Sequence, residues 1–546
     1  MGKIRGSGAG KMMKWVTIAM ALLLVVAGGG AAHAQLPTPP GSPAAACARV
    51  AATDFSAVPD APMGITATAV IRYGPDQREV CQVDGVINPT IGFKIVMPMS
   101  GWNGKYIQGG CGGGCGTTRL FWCDDPLRRG YACLGSDMGH QGGVGDWRWA
   151  WNNIQLQGDF GFRSTHVASL AGKAVVAAFY GRPATLSYYW GCSTGGRQAY
   201  HEAEFYPADF AGIVGGSPPL NETGSALQIA WTVKANLRAD GSEILGVPEA
   251  QLLHRAVVAQ CDRNDGIVDG VIGDARLCRF DPRTVACRPG QPGRGVCLTA
   301  EQAEAARRMY AGPHDSRGRA IGFQGGVMPG SELNWIGDYI DGPARQAQYR
   351  AFIANVFRYI GFNPGPGPAW TLNDLDFDRD PARLQINEAL YRADNPDFRL
   401  FQKAGGKFIG FQGWSDTSVV PMGTVDFYET VARTMGGYAR TREFFRFYAV
   451  PGMRHCSSDG DGADNIDFLT ALEDWVERGR APDMLTGYNF DWRGVQYVAP
   501  VWPRPADQIR FTRPVFPYPE RAIWSGRGDA NDPATWRRVM PSPDNG

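Results

Sequence analysis

The sequence ATLSYYWGCSTGGRQAYHEAEFYP, residues 184–207, changes character in its middle. Its first part, through Trp190, is rich in β-branched and aromatic residues, which is typical of a buried strand. The part after the glycines predicts a helix that ends before Pro207, because proline cannot continue a helix. The turn between them, GCSTG at 191–195, fits Gly-x-Ser-x-Gly, and this strand–turn–helix context predicts that Ser193 is a nucleophile. An alternative role for Ser193 is to cap the helix.

A serine nucleophile needs an acid and a base, and the α/β-hydrolase fold has them in the chain order nucleophile, acid, base. His455 is the only one of the seven histidines that follows His314, and it lies in the polar loop PGMRHCSSDGDG. Asp416 lies in the loop after a predicted strand at 407–412, where it would orient the histidine and stabilise its protonated form. We therefore predict the triad Ser193, Asp416 and His455. The alternatives are a solvated loop histidine and an aspartate that caps a turn.

Cysteines stand beside both the predicted nucleophile and the predicted base. Cys192 precedes Ser193, and Cys456 follows His455. A disulfide between them would hold their Cα atoms about 5.5 Å apart and would keep the serine and the histidine within hydrogen-bonding reach. This placement predicts a Cys192–Cys456 clamp rather than a second nucleophile.

An oxyanion hole requires two backbone N–H groups. Thr194 follows the nucleophile and is expected to provide one of them. The second is expected from the glycine-rich loop QGGCGGGCG at 108–116, where Gly112 or Gly113 is the predicted donor. This loop fits Gly-x-Gly-x-x-Gly in no register, which argues against a dinucleotide site. The alternative interpretation of the loop is a flexible turn.

The N-terminus predicts export. Four basic residues and no acidic ones precede an apolar run from Trp15 to Ala27, and small residues follow at Ala32 and Ala34. The run is too short to span a membrane, so residues 1–34 are predicted to be a signal peptide cleaved near Ala34. The 12 cysteines are even in number, and an exported chain is expected to hold them as disulfides. The mature protein is expected in the periplasm or outside the cell.

Length and charge narrow the class of protein. The chain has 546 residues, of which 44% are hydrophobic and 20% charged, as in a globular protein with a core domain and a large insertion. Removing the four N-terminal cations from the 54 basic residues leaves 50, against 53 acidic ones. This near balance gives no reason to expect nucleic acid or an anionic membrane surface as a partner. No protein partner is evident, and a small molecule is the expected ligand.

The sequence resembles the tannase/feruloyl esterase family. The resemblance rests on GCSTGGRQAYHEAEFYPADFAGIVGGSP, GWSDTSVVP, MRHC, CDRNDGIVDGVIGD and RPVFPYPERA, which together cover most of the mature chain. It implies an α/β-hydrolase fold with a large inserted lid domain, and ester hydrolysis through an acyl-enzyme. It also supports Ser193, Asp416 and His455 as the triad and Cys192–Cys456 as the bridge.

The boundaries of the expected lid can be read from the sequence. The core is expected to break after GGSPPLN and to resume near NPDFRLFQKAGGK. This gives a first core part at 35–222, a lid at 223–395 and a second core part at 396–546. Lids of the family cover the active site and set the preference for the acyl group. The apolar and aromatic residues of the interval suit a flat phenolic acyl group, and they would equally well form the lid's own core.

Inside the predicted lid, residues 261–278 read CDRNDGIVDGVIGDARLC. Aspartates crowd among glycines there and offer the oxygen atoms that hard cations require, but their spacing is not that of an EF-hand. Taken alone, the stretch is slightly more typical of an Asp-Gly turn. The resemblance implies a structural calcium ion, and the implied ligands are Asp262, Asp265, Asp269 and the backbone oxygens of Ile267 and Val271.

The remaining cysteines are expected to form further disulfides. Those predicted to be bonded are Cys47, Cys81, Cys261, Cys278, Cys287 and Cys297, the last two as a local pair in the lid. A cluster of Cys111, Cys115, Cys123 and Cys133 departs from the usual pattern of the family. Two local disulfides are favoured there in an exported protein, while the spacing alone leaves a zinc site open.

The expected function is that of a secreted serine carboxylesterase acting on aromatic or phenolic acid esters of the feruloyl or galloyl type. One alternative is an esterase for a different aromatic ester, such as mono(2-hydroxyethyl) terephthalate. Another is a catalytically silent, lid-gated binding protein for phenolic compounds. The complete set of serine, aspartate and histidine argues against the silent protein.

Overall fold

The structure is a computed structural model of the chain. It describes residues 42–540 apart from gaps at 121, 292, 294, 323–324, 344–345, 457–459, 491–501 and 503–505. The predicted signal peptide, residues 1–34, lies outside the described residues, as do positions 35–41 and 541–546 of the predicted core. No described helix is both long enough and apolar enough to cross a membrane.

A nine-stranded mixed sheet forms the centre of the described structure. Its strands are β1 (Met63–Tyr73), β2 (Arg78–Ile87), β3 (Ile91–Pro98), β4 (Lys105–Gly109), β5 (Ala132–Ser136), β6 (Leu186–Cys192), β7 (Gly212–Gly216), β8 (Lys407–Gly413) and β9 (Phe445–Val450). Their order is β1-β2-β3-β5-β4-β6-β7-β8-β9. Pairing is antiparallel from β1 to β5 and parallel from β5 to β9. Parallel neighbours need crossover connections, so helices cover the sheet.

Helices connect these strands, and two hairpin-like pairs follow them. The helices are α1 (Pro43–Val50), α2 (Asp124–Arg128), α3 (Ile154–Gly158), α4 (Ser164–Tyr180), α5 (Thr194–Phe205), α6 (Glu222–Ala235), α7 (Val247–Cys261), α8 (Ala300–Ala311), α9 (Gln348–Val356), α10 (Asp380–Tyr391), α11 (Arg399–Lys403), α12 (Pro421–Thr434), α13 (Tyr438–Thr441) and α14 (Phe468–Arg478). The C-terminal segment holds β10 (Leu485–Phe490), β11 (Ile509–Val515), β12 (Arg521–Trp524) and β13 (Trp536–Val539). β10 pairs with β11 and β12 with β13, both antiparallel.

Buried strands send alternate side chains to the two faces of the sheet. Tyr189 and Phe408 belong to one hydrophobic cluster, which also contains side chains of α4 and α5. Their neighbours Tyr188 and Ile409 belong to another, together with side chains of α14. Both faces of the central strands are therefore buried. This explains why the strand sequences are continuous apolar runs rather than alternating apolar and polar residues.

A long insertion separates β7 from β8. It contains α6 to α11, and most of its apolar side chains form a hydrophobic cluster of their own. That cluster also includes Trp147 and Phe160, which precede β6 in the chain. Both residues lie within the predicted first core part, and the sequence does not indicate this contact. The insertion therefore packs against the segment that precedes α4, in addition to being joined to the sheet at its two ends.

Candidate active site

Ser193 lies on the turn between β6 and α5. Its backbone has φ 62° and ψ −128°, and its N–H donates to the carbonyl oxygen of Gly216 at 3.0 Å. A positive φ is unfavourable for a residue with a Cβ, so the turn stores strain on the order of 1–3 kcal/mol. The Ser193 hydroxyl makes no capping hydrogen bond to α5. The Ser193 side chain therefore does not act as the helix cap that was the alternative prediction.

Glycines surround this turn because backbone segments touch each other there. A Cβ on Gly191 would lie 2.4 Å from the carbonyl oxygen of Gly195, and a Cβ on Gly196 would lie 2.1 Å from that of Gly216. Both distances are shorter than real Cβ contacts, and the opposing atoms are backbone atoms that cannot swing aside. The small residues of GCSTGG are thus a packing requirement of the turn.

The three residues of the predicted triad form one hydrogen-bonded chain. His455 Nε2 lies 2.9 Å from Ser193 Oγ, and His455 Nδ1 lies 2.9 Å from Asp416 Oδ2. Ser193 follows β6, Asp416 follows β8 and His455 follows β9, so all three stand at the carboxyl ends of parallel strands. This is the edge of an open α/β sheet at which ligands bind.

Asp416 is fully buried and its carboxylate is held by four donors. The N–H groups of Ser418 and Val419 donate to Oδ1 at 2.9 and 3.0 Å. Gln412 Nε2 donates to Oδ2 at 2.9 Å, beside the His455 ring nitrogen. The carboxylate therefore has one orientation, and it fixes which nitrogen of the histidine carries the proton. The sequence analysis did not identify Gln412, the last strand residue but one.

The pKa of His455 is raised above its ordinary value. Burial of the ring lowers the pKa, and the negative charge of Asp416 together with its hydrogen bond outweighs that effect. A base whose protonated form is stabilised in this way accepts a proton from a neighbouring hydroxyl more readily. The arrangement can therefore deprotonate Ser193 as it attacks an electrophile.

A disulfide joins Cys192 to Cys456 and ties the serine to the histidine. The Cα atoms of the two cysteines are 5.8 Å apart, although 264 positions separate them in the chain. Because each is the immediate neighbour of a triad residue, the bond limits the relative movement of β6 and the loop after β9. The other pairs are Cys47–Cys81, Cys111–Cys115, Cys123–Cys133, Cys261–Cys278 and Cys287–Cys297, which leaves no free cysteine.

The predicted oxyanion donors lie against the same turn. The Thr194 hydroxyl donates to the Gly113 carbonyl oxygen at 2.8 Å, and the Gly195 N–H donates to the Cys111 carbonyl oxygen at 2.7 Å. Thr194 is the first residue of α5, so its own N–H has no acceptor within the helix. Gly112, Gly113 and Thr194 line the same cavity as Ser193. The glycine-rich loop is therefore held to the turn by two hydrogen bonds.

His140 supports this loop, a role that the sequence analysis did not assign. Its Nε2 bonds the carbonyl oxygen of Gly114 at 2.6 Å, and its ring stacks on Trp149 at 3.7 Å. Burial lowers the pKa of His140, which favours the neutral ring and a donated N–H. The sequence shows only that His140 follows a buried strand closely. It does not show that its partner is Gly114, 26 positions earlier in the chain.

The triad opens into a cavity of about 860 Å³. One side consists of the turn, the glycine-rich loop and His455. The other side comes from α6 and α9 of the insertion, and its apolar members include Ala226, Ile229, Phe352 and Val356. The volume and the mainly apolar wall are those of a small-molecule site, in which a few polar groups set the orientation of the ligand.

The residues implied as calcium ligands lie on a different surface. Asp262 accepts from the N–H groups of Asp269 and Gly270 at 3.3 and 3.1 Å, and Asp269 pairs with Arg513 of β11 at 2.7 Å. Burial raises the pKa of Asp265 to about 7, and the charges of Asp269 and Asp262 add to the shift. None of the implied ligands lines the triad cavity.

The donor set of this loop fits a hard cation. Burial, and then the charges of neighbouring aspartates, raise the pKa values of Asp262 and Asp265, and Arg513 pairs with Asp269. Gly273 approaches so closely that a Cβ there would lie 2.4 Å from Asp265 Oδ2. Carboxylate and carbonyl oxygens in a tight loop suit calcium. The apolar neighbours of the loop, Cys261, Ile272, Ala275 and Cys278, belong to the hydrophobic cluster of the central sheet, so the loop packs against the sheet.

Another group of possible metal ligands lies outside both regions. His166, Glu202 and Asp209 bring ligand atoms within 4.8 Å of one another. His166 Nδ1 lies 2.7 Å from Asp209 Oδ2, and Lys173 Nζ donates to the Asp209 backbone oxygen at 2.6 Å. The ammonium of Lys173 already supplies a positive charge to this cluster, so its geometry is explained without an ion.

Comparison with known proteins agrees with the geometry. The family model described as tannase and feruloyl esterase matches residues 76–539. The chain is 31% identical to an uncharacterized esterase of Xanthomonas campestris, with 90% of each chain covered. It is also 31% identical to the mono(2-hydroxyethyl) terephthalate hydrolase of Piscinibacter sakaiensis, with 85% of each covered.

A solved structure shows the same architecture. The feruloyl esterase B of Aspergillus oryzae superposes with a TM-score of 0.77 at 25% identity, over 91% of this chain and 100% of that one. The central mixed sheet with its helices is thus an α/β-hydrolase-like fold. The family model covers most of the chain, and the relatives match it nearly end to end. The chain therefore belongs to the tannase and feruloyl esterase family.

Proposed function

We propose that the chain is a secreted serine carboxylic ester hydrolase that acts on aromatic acid esters through an acyl-enzyme. The observation that supports this most directly is the hydrogen-bonded chain from Ser193 through His455 to Asp416, on a strained turn at the floor of an apolar cavity. Membership in a family named for tannase and feruloyl esterase supports an aromatic ester as substrate.

In this mechanism Ser193 Oγ attacks the ester carbonyl carbon while His455 Nε2 takes its proton. Asp416 holds the ring and stabilises the imidazolium. The Thr194 N–H and one N–H of the Gly112 and Gly113 loop bind the oxyanion of the tetrahedral intermediate. The alcohol leaves with the proton from His455, and a water molecule, deprotonated by the same ring, releases the acid.

We further propose that the insertion acts as a lid and that a calcium ion is held by the loop at 262–271. The apolar wall from α6 and α9 supports the first proposal, and the crowded carboxylates support the second. A bound calcium ion would supply positive charge that keeps the loop closed. It would have no part in the reaction, since its implied ligands lie off the triad cavity. The disulfides support export, because such bonds persist in oxidising compartments.

The function is tested with p-nitrophenyl acetate and methyl ferulate. We expect a burst of p-nitrophenol equal to the enzyme concentration, followed by steady turnover, and hydrolysis of methyl ferulate. Ser193→Ala should lower kcat by about 10³-fold or more while the circular-dichroism spectrum stays unchanged. A chain that binds methyl ferulate but releases no acid would instead be a binding protein, and the proposal would be lost.

A further inference from the structure

One wall of the triad cavity carries a single carboxylate. Glu222, the first residue of α6, lines the cavity together with Ser193. Among the described residues of the wall there is no other acidic side chain and no lysine or arginine. A charged group in a mainly apolar site is costly unless it is paired, so the partners of Glu222 decide what its carboxylate can do.

A buried arginine holds Glu222 in place. Arg197 follows Ser193 by one turn of α5, and its Nε lies 3.5 Å from Glu222 Oε2. The Arg197 guanidinium also donates to the carbonyl oxygens of Gly161 at 2.7 Å and Tyr391 at 3.1 Å. These bonds fix the guanidinium independently, so the carboxylate of Glu222 faces a positive charge whose position is set by other contacts.

The anchoring leaves hydrogen-bonding capacity on the cavity side. Glu222 Oε2 is buried against Arg197 and makes no hydrogen bond, and no described group donates to the other oxygen. The side chain keeps 13% of its surface exposed, and it lines the cavity. Burial raises the pKa of Glu222, and the guanidinium of Arg197 opposes that shift. An acceptor oxygen without an internal donor is thus presented to whatever occupies the cavity.

We propose that Glu222 selects aromatic acyl groups that carry a ring hydroxyl and discriminates against acyl groups that carry a free carboxylate. This inference rests on the proposed ester hydrolysis at Ser193. A phenolic hydroxyl donates a charge-assisted hydrogen bond to the carboxylate. A substrate carboxylate in the same place would face a like charge, which disfavours binding.

The proposal separates this chain from one of its relatives. The hydrolase of Piscinibacter sakaiensis is named for mono(2-hydroxyethyl) terephthalate, a half-ester whose acyl group ends in a free carboxylate. That group has the wrong charge for a cavity that contains Glu222. A methyl ester of a hydroxycinnamic acid has the right donor, and it is the substrate class that the geometry favours.

The test compares kcat/KM for methyl 4-hydroxycinnamate, methyl cinnamate and mono(2-hydroxyethyl) terephthalate. The wild-type protein should prefer the hydroxylated ester over methyl cinnamate by about tenfold or more, because a site built to bond a hydroxyl rejects the analogue that lacks it. It should hydrolyse the half-ester more slowly than either. Glu222→Leu should abolish the preference for the hydroxyl, and Glu222→Gln should raise relative turnover of the half-ester by about tenfold.

The measured quantity is the ratio of kcat/KM values between the three esters. A general loss of stability would lower all three kcat/KM values together and leave their ratios unchanged. Glu301→Gln is the matched control, because Glu301 is half exposed on α8 and pairs with Arg238 outside the cavity. It should keep the wild-type ratios. If the ratios of the Glu222 variants equal those of the wild type, or if the wild type prefers the half-ester, the inference is overturned and ester hydrolysis stands. If no ester is hydrolysed and no p-nitrophenol burst appears, the proposed function and this inference are lost together.

Discussion

The carboxylate of Asp416 sets the working range of His455. It raises the pKa of the histidine above its ordinary value, despite the opposing effect of burial. A general base works in its neutral form, so its activity is lost as the pH falls through the pKa of the folded protein. The network of Gln412, Ser418 and Val419 keeps the carboxylate ready for this task.

We predict that kcat/KM for p-nitrophenyl acetate rises with pH along an acid limb whose midpoint lies above about 6.5, the usual pKa of histidine. Asp416→Asn should lower that midpoint, because the raising charge is gone while burial remains. It should also cost about 10⁴-fold in kcat, since the neutral amide no longer holds the correct tautomer. A pH–rate profile of both proteins measures this. An unchanged midpoint in the variant would show that Asp416 does not act on His455.

Much of the candidate site at this scale is predictable from the sequence. Chain order singles out Asp416 and His455, and the adjacent cysteines bring base and nucleophile together without any coordinates. Gln412, His140 and the pairing of Glu222 with Arg197 are not predictable. The contacts of His140 and of Glu222 depend on where separate segments meet, which no local pattern of residues shows. Gln412 is only four positions from Asp416, but the sequence does not show that its side chain turns towards that carboxylate.

At the scale of elements, β6 with α5 and β9 with its following loop form the two halves of the site. The strands are held parallel by β7 and β8 between them. Backbone hydrogen bonds therefore fix the positions of the strands. The position of the loop after β9 depends instead on side-chain and covalent contacts. The Cys192–Cys456 disulfide is the covalent contact that holds this loop to the end of β6.

We predict that Cys192→Ala with Cys456→Ala loses most of kcat before it loses the fold. Small misplacements of base and nucleophile are costly in rate, so activity should fall by about 10²-fold or more. The bond also contributes about 5–6 kcal/mol of stability in the chain-entropy model, so the assay is run at low temperature, with circular dichroism to confirm folding.

The control for the clamp removes Cys287 and Cys297, which close a loop of 10 positions in the insertion. That double variant should lower the melting temperature with little change in kcat. A clamp variant with near-normal kcat would show that strand pairing alone positions His455. Mild reduction of the wild-type protein should reproduce the clamp variant before it unfolds the chain.

At the scale of the whole molecule, the loop at 262–271 connects three regions. It follows α7 of the insertion, packs its apolar neighbours on the central sheet and pairs Asp269 with Arg513 of the C-terminal segment. Gly266 touches that segment as well, since a Cβ there would lie 2.7 Å from the Trp524 carbonyl oxygen. A cation in this loop would therefore stabilise the junction of all three.

We predict that removing calcium lowers the melting temperature of the whole chain. A chelator should shift the transition downwards, calcium should restore it, and magnesium should not, because magnesium tolerates less irregular oxygen geometry. Asp265→Asn should lose the response to calcium while keeping the burst with p-nitrophenyl acetate. Differential scanning calorimetry with metal analysis measures both. A purified protein without calcium and with no response to chelation would refute the assignment.

The overall architecture is predictable in outline, and its boundaries less so. The strand before Ser193 and the strand before Asp416 are predictable from runs of apolar and aromatic residues, and the helix after Ser193 from its position between the glycines of the turn and Pro207. The packing of Trp147 and Phe160 into the core of the insertion, and of the loop at 262–271 on the sheet, is not predictable from the sequence. Hydrophobic patterns indicate that a residue is buried, but they do not indicate against which neighbour.

The spacing of the disulfides has a consequence for how the protein matures. Five of the bonds join cysteines that are 4, 10, 10, 17 and 34 positions apart, so each can close soon after its segment reaches an oxidising compartment. The Cys192–Cys456 bond spans 264 positions and must wait for nearly all of the chain. We therefore expect the chain to gain esterase activity only after its other disulfides have formed. In oxidative refolding, hydrolysis of p-nitrophenyl acetate should appear only as the final pair of thiols disappears, and the nascent chain would be built as a latent enzyme.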